Sequence, residues 1–338
     1  MKKTHIPLDR IQGCLMGAAI GDAIGMPVET MKHDDIMALN GGLGVTGFVG
    51  SVQKRIWDTA GLKAGDTTDD WQLTRAVARS IINCKGTVNI ADQAREHVSE
   101  LQRSAFGWGK GSQSAIEAII RGERNPSKDP LPPAEPGKGC GNGVIMKIAP
   151  LAIANTIMWG KNPGEKVLWR QCRVLGSLTH PDIRASIGAY AVALLMKHVA
   201  LHPNMKGLTV RPFFGKIMEQ VIEVENSEVK SDDPVSGRLR KMLGALDSSE
   251  KLRQTTGCSY NALDTAGFAI GTFLRNPLDF RAGVLEAVNA GGDTDTHASI
   301  VGALIGLNCG LEAIPREWRD FNPLFKEALE LGKQLALL

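Results

Sequence analysis

In the stretch IQGCLMGAAIGDAIGMPVE, residues 11–29, glycine recurs at Gly13, Gly17, Gly21 and Gly25. A period of four places all of them on one side of an α-helix, leaving a face bare of side chains. Each glycine costs a helix roughly 1 kcal/mol against alanine. The segment is therefore worth keeping helical only if another helix must approach that bare face closely. Stripes of this kind also pair helices in lipid, but Asp22 in the middle of this one fits tight packing in a soluble core.

The rest of the chain agrees with a helical fold. WQLTRAVARSII, ADQAREHVSELQRSA, SQSAIEAIIRGE, IRASIGAYAVALLMKHVA, PFFGKIMEQVIEVEN, ALDTAGFAIGTFLR, RAGVLEAVNA and PLFKEALELGKQLALL space their apolar residues at three and four. Alternating β-branched runs are nearly absent. The expected architecture is all-α: a compact multi-helix bundle of about a dozen helices, forming one domain over residues 1–338. The proline-rich stretch RNPSKDPLPPAEPG, residues 124–137, is expected as a surface loop rather than a linker, and ENSEVKSDDPVSG as a second, solvated loop.

Composition excludes several classes of function. Lys+Arg number 39 against 36 Asp+Glu, so no global field points to a nucleic acid or an anionic membrane as partner. The six cysteines, at 14, 84, 140, 172, 258 and 309, are scattered with no CxxC pair, which argues against a zinc cluster and a disulfide scaffold. They read as reduced thiols of a cytoplasmic protein. Asp9 and Arg10 interrupt the N-terminal apolar run, and Gln12 and Asp22 the next, so neither a signal peptide nor a membrane span is expected. A monomer is the expected oligomeric state.

The chemistry concentrates in two oxygen clusters. In NAGGDTDTHASIVGALIG, Asp293 and Asp295 alternate with Thr294 and Thr296 at the mouth of an apolar helix. In GDTTDDWQLTRAV, Thr68, Asp69 and Asp70 stand at the start of another. Either cluster alone has a structural explanation, since threonine and aspartate cap helix N-termini and complement the dipole. Two such openings in one chain suggest more. If the fold brings them together, four aspartates repel one another unless cations lie among them. An all-oxygen set suits Mg²⁺, Mn²⁺ or Ca²⁺ and not Zn²⁺, and its size suggests two metal ions. No twelve-residue loop ending in glutamate follows either motif, which removes the EF-hand.

A third element, GKGCGNGVIMKIAPLAI, is a glycine-rich turn entering a helical pattern. Free backbone N–H groups at such a turn can cradle an anion, and Asn142 can bond a sugar hydroxyl; a plain flexible turn is the other reading. It is no P-loop, because no Gly-Lys-Ser/Thr follows. GLGVTG, residues 42–47, satisfies GxGxxG literally but lacks the buried strand before it and the long helix after it. Glu29 follows the striped segment by a proline turn, from which a carboxylate can swing over a site. His180 ends a helical pattern before Pro181. Trp108, among glycines, is either a ring facing a base or a core anchor.

Together, GAAIGDAIGMPVE, TTDDWQLT, GCGNGVIMKIAPLA, SLTHPD and AGGDTDTHASIVGAL occur in the order seen in the ADP-ribosylglycohydrolase family, which the chain resembles over nearly its whole length. The resemblance implies an all-α orthogonal bundle, a centre of two Mg²⁺ or Mn²⁺ ions, and an ADP-ribosylated protein or other ADP-ribosyl acceptor as substrate, with ADP-ribose as product. It implies metal ligands Thr68, Asp69, Asp70, Asp293, Asp295 and Thr296, with Glu29 a mobile carboxylate beside them. It makes Gly139, Cys140, Gly141, Asn142 and Gly143 a contact surface for the diphosphate and distal ribose, near His180. Departures are Trp71 after the Asp pair, Lys147 where arginine is usual, and the run TTGCSYNALDTAGFAIG on the adenosine side.

Cleavage at the anomeric carbon builds oxocarbenium character and needs a positioned water and a proton for the leaving group. The expected division of labour has the metals holding ribose and water, one of Asp69, Asp70 or Asp295 accepting the water's proton, and Glu29 assisting protonation or gating. A catalytically silent ADP-ribose binder and a two-metal nucleotide phosphohydrolase would use the same residues.

Overall fold

The apolar spacings of three and four become α-helices, and no strand forms among the described residues; one isolated bridge joins Gly141 and Asn261. A computed structural model describes residues 4–50, 52, 63–129, 131, 139–160, 164–205, 207–229 and 231–338, so the proline-rich stretch lies partly outside it. In chain order the helices are α1 (Leu8–Gly25), α2 (His33–Met37), α3 (Asp69–Asn83), α4 (Ile90–Arg103), α5 (Lys110–Ile120), α6 (Ala149–Trp159), α7 (Gly164–Thr179), α8 (Ile183–Leu201), α9 (Gly207–Glu228), α10 (Val235–Leu243), α11 (Ser249–Thr256), α12 (Ala262–Arg275), α13 (Phe280–Asn289), α14 (Thr294–Cys309), α15 (Arg316–Arg319) and α16 (Lys326–Ala336). The all-α expectation holds, with more and shorter helices than the dozen anticipated. ENSEVKSDDPVSG is no single loop: its first four residues finish α9 and its last three begin α10.

Several helices start where a side chain captures the free amides of the first turn. Asn89 accepts from Ala91 and Asp92, Asp182 from Arg184, Ser248 from Lys251, Asn261 from Leu263 and Asp279 from Ala282. One contiguous hydrophobic cluster then runs from Ile6 to Leu335. Leu8–Val28 and Ile183–Leu201 are long and apolar enough to cross a membrane, but 94% and 89% of those stretches are buried inside the fold.

The glycine stripe finds its partner in α14, running antiparallel. A methyl carbon built on Gly17 would lie 2.2 Å from the Gly302 carbonyl oxygen, one on Gly21 2.1 Å from that of Ala298, and one on Gly25 2.5 Å from the Asp295 Cα. From the other side, one on Gly306 would lie 2.0 Å from the Gly13 oxygen. The two backbones touch along four successive turns. At the far end buried Arg10 donates to the carbonyls of Val199 (2.9 Å), Ala200 (3.2 Å) and Asn308 (3.4 Å), tying α1 to the C-terminal ends of α8 and α14. The near end delivers Asp22 to the N-terminus of α3.

Helix α3 is held from behind. Arg75 and Arg79 both pair with Glu100 of α4 and with Glu327 of α16, and Glu100 is only 1% exposed. A smaller core of Leu73, Ala94, Trp108, Ile116, Met146 and Leu178 packs beneath. Its Trp108 donates from Nε1 to Gln72 Oε1 at 2.7 Å. Trp108 is thus a core anchor and not a ring open to a base.

Candidate metal centre and substrate turn

The first turns of α3 and α14 meet. Thr296 Oγ1 donates to Asp70 Oδ2 at 3.2 Å across 226 residues of sequence. Thr68 stands at the N-cap of α3, but its side chain caps nothing. Its hydroxyl donates instead to Asp22 Oδ1 (2.8 Å), while Asp22 Oδ2 accepts the amides of Thr68 (2.9 Å) and Trp71 (3.0 Å). The cap of α3 is therefore a carboxylate reaching in from α1. This leaves Asp69 and Asp70 free to point elsewhere, and ties the level of α3 to that of the glycine stripe.

On the other side two glycines with positive φ, Gly291 and Gly292, turn the chain into α14. A Cβ at Gly292 would lie 2.0 Å from the Cys258 carbonyl oxygen, and Asp293 N donates to that same oxygen at 2.8 Å. Asp293 accepts from Asn142 Nδ2, and Thr294 Oγ1 donates to the Gly25 carbonyl at 2.8 Å. Segment 29–31 lies alongside: Thr30 N donates to Gly292 O (2.6 Å) and Gly292 N to Met31 O (2.9 Å). One oxygen each of Glu29, Asp293 and Asp295 falls within 4.8 Å of the others.

The electrostatics are those of an acid cluster short of cations. Burial pushes Asp69 up to about 8, against the Gly109 amide that donates to it at 3.3 Å, with Asp22 and Glu29 adding repulsion. Asp70 is held well above the usual carboxylate range by burial and then by Asp295, Asp22, Asp69 and Asp293. Asp295 is raised by burial and Asp293. Asp22 and Asp293 rise to about 6, burial outweighing the hydrogen bonds they accept. Among the described residues no lysine or arginine pairs with any of these aspartates. Lys147, fully buried near Asp69, is itself pushed down to about 7 by burial.

These groups suit divalent cations. Asp70 Oδ1 is buried with no hydrogen-bond partner, the donors are all hard oxygens, and repulsion among the carboxylates calls for positive charge. Glu29, Asp293 and Asp295 can offer oxygens to one ion, and Asp70 joins them through Thr296. Thr68 and Asp69 stand beside Asp70 at the start of α3, Thr68 with its hydroxyl bonded to Asp22 and Asp69 accepting from Gly109.

The glycine turn forms the adjoining wall. Cys140 O accepts from Ala262 N (2.9 Å), Asn142 N donates to Tyr260 O (3.0 Å), and Asn142 Nδ2 bridges Asp293 and Thr265 Oγ1 (2.9 Å). Asn142 thus joins the turn to the metal centre. His180 fills the space where side chains at Gly141 and Gly143 would stand, at 2.9 and 2.2 Å from their Cβ positions, while Gly139 has φ +93°. Burial and Lys147 push His180 down to about 3, so its ring is neutral. Burial pushes the Cys140 thiol up to about 12, far from a reactive thiolate.

The sequence reading missed Asp22 as a site residue. Its signal was a lone carboxylate in an otherwise apolar, glycine-striped helix, a buried charge that needs a purpose.

Comparison with known proteins shows what the whole chain is similar to. A family model described as ADP-ribosylglycohydrolase matches residues 3–337. The ADP-ribosylhydrolase ARH3 of Mus musculus is 26% identical over 357 residues, covering 97% of this chain and 91% of that protein. The ADP-ribosylarginine hydrolase Tri1 of Pseudomonas putida is 24% identical, covering 92% of this chain and 73% of its own. A solved structure titled ADP-ribosylglycohydrolase-related protein complex superposes with a TM-score of 0.70 at 23% identity, covering 98% of each chain; it shares the fold.

Proposed function

The chain belongs to the ADP-ribosylglycohydrolase family, and from that premise we propose that it removes ADP-ribose from a modified acceptor, with arginine the favoured linkage, using two Mg²⁺ or Mn²⁺ ions. The observation that carries the reading is the meeting of two helix openings around Asp70, whose Oδ1 is buried and unbonded beside Asp295 and Asp293.

Thr68, Asp69, Asp70, Asp293, Asp295 and Thr296 would hold the ions. When bound, these supply a Lewis-acid hold on ribose hydroxyls and lower the pKa of a water. The chain's own groups do the rest. Asn142 links the glycine turn to Asp293, so a substrate lying on Gly139–Gly143 is registered against the carboxylates. One of Asp69, Asp70 or Asp295 accepts the water's proton. Glu29, within reach of Asp293 and Asp295, assists the leaving group or gates entry. The arginine preference draws on the Tri1 relative's printed activity.

The test is incubation of the purified protein with arginine-linked and serine-linked ADP-ribosyl peptides, with Mg²⁺ or with chelator. Release of ADP-ribose and unmodified peptide from the arginine linkage, abolished by chelator, is expected. Inorganic phosphate as product would favour a phosphohydrolase, and undiminished release in chelator would remove the metals from the reaction.

A further inference from the structure

We propose that Lys147, acting through Thr179, locks His180 into the neutral tautomer that carries its proton on Nε2, so that His180 offers substrate a hydrogen-bond donor. Lys147 and Thr179 are on this view positioning residues, and the inference rests on the proposed function, with His180, beside the Gly139–Gly143 turn, taken as a substrate-binding residue.

The argument is one of hydrogen-bond capacity. Thr179 ends α7, and a threonine in a helix ordinarily turns its hydroxyl back to the carbonyl four residues earlier. Thr156 does so to Ala152 O (2.7 Å) and Thr256 to Leu252 O (2.8 Å). Thr179 does not. Its Oγ1 stands 3.0 Å from Lys147 Nζ and 3.0 Å from His180 Nδ1. The Lys147 side chain is fully buried, and below about pH 7, where it is an ammonium, its nitrogen has no lone pair and toward a hydroxyl is only a donor. Thr179 Oγ1 spends a lone pair on that donor, and its single proton goes to the remaining neighbour, Nδ1. A nitrogen that accepts cannot carry a proton in the same bond, and a neutral imidazole has one N–H, so that proton is on Nε2.

The ring's placement gives the tautomer a use. Nε2 makes no hydrogen bond among the described residues, and it is not closed off by burial. It lies 2.9 Å from the Cβ position of Gly141 and 3.8 Å from that of Gly111 at the head of α5, so its open side is the surface of the glycine turn. A donor there selects an acceptor oxygen, of the kind a diphosphate or a ribose hydroxyl provides. The opposite tautomer would present a lone pair and repel a phosphate oxygen. Burial and the Lys147 charge keep the ring from taking a second proton.

The experiment is nitrogen-15 spectroscopy on protein labelled at histidine, with the His180 ring assigned by its loss in His180→Gln. At pH 6, where Lys147 is an ammonium, wild-type protein is expected to show an unprotonated Nδ1 and a protonated Nε2. Thr179→Ser and Lys147→Arg, which keep the donors, should look the same. Thr179→Val and Lys147→Met should give mixed tautomers. A wild-type ring protonated on Nδ1, or a Thr179→Val ring indistinguishable from wild type, overturns the proposal. Titration with ADP-ribose in Mg²⁺ supplies a second readout: Thr179→Val should bind about tenfold more weakly and Thr179→Ser as wild type. Equal binding by Thr179→Val would also overturn it. Failure of the wild type to bind ADP-ribose would sink the proposed function and the substrate role of His180, while the spectrum still decides the tautomer.

Discussion

Replacing Gly17 by alanine tests whether the backbone contact between α1 and α14 sets the architecture. The added carbon would lie 2.2 Å from the Gly302 oxygen and 2.7 Å from its carbonyl carbon, whereas ordinary contact begins near 3.4 Å. The obstacle is main chain on a buried helix and cannot rotate aside, so the helices must part locally by about 1 Å. Parting them loosens the neighbouring contacts at Gly13 and Gly21, where the nearest backbone atoms stand 2.6 and 2.1 Å from the Cβ positions. Overpacking of this kind costs about 3 kcal/mol, and the gain in helix propensity returns about 1 kcal/mol, leaving a net loss of about 2 kcal/mol. Gly215, exposed on α9 with nothing within 4 Å of its Cβ position, is the control: Gly215→Ala should stabilise by roughly 0.5–1 kcal/mol. Urea unfolding followed by far-UV circular dichroism measures both. If Gly17→Ala unfolds at the wild-type midpoint or above, the close-approach argument is wrong.

Other outcomes follow from the site and its supports. Free of metal, the buried aspartates bind protons more tightly folded than unfolded, so stability falls as pH rises from about 4, where the unfolded chain releases its protons, toward about 8, where Asp69 does so folded. Mg²⁺ should then raise the melting temperature more at pH 8 than at pH 5, and a pH-independent shift in scanning calorimetry would contradict this. Asp22→Asn replaces one acceptor oxygen with a donor facing the Thr68 and Trp71 amides. A loss of about 2 kcal/mol and weaker Mg²⁺ binding by titration calorimetry are expected, and unchanged metal affinity would detach Asp22 from the site. Glu100→Gln weakens the charge-assisted bonds to Arg75 and Arg79, which keep Glu327, and should cost about 2 kcal/mol in urea unfolding, with wild-type stability the contrary result.

The two oxygen clusters were legible because carboxylates and hydroxyls at apolar helix openings are costly to bury without a purpose. Asn142 and His180 were legible mainly through their glycine and proline surroundings, and by family resemblance. Asp22 escaped because a single carboxylate has no pattern of its own; only the fold shows it bonded to Thr68 and Trp71. The glycine stripe announced a partner without identifying it, since spacing reports which face is bare and not which helix will meet it. Short α10 and α11, with nine and eight residues, give too few turns for periodicity to stand out beside the polar run ending at Gly237. Trp108 looked ambiguous because flanking glycines suit an exposed ring as well as a tight turn; the bond to Gln72 decides for the interior.

The pairing of Gly13 with Gly306 and of Gly17 with Gly302 also has a consequence for biosynthesis. A ribosome makes the striped helix well before its mate, so while the segments between them are being made the bare ridge has nothing to lie against. The nascent chain must keep that bare ridge from meeting its counterpart on another molecule, and the carboxylate cage is assembled only once α14 has been made.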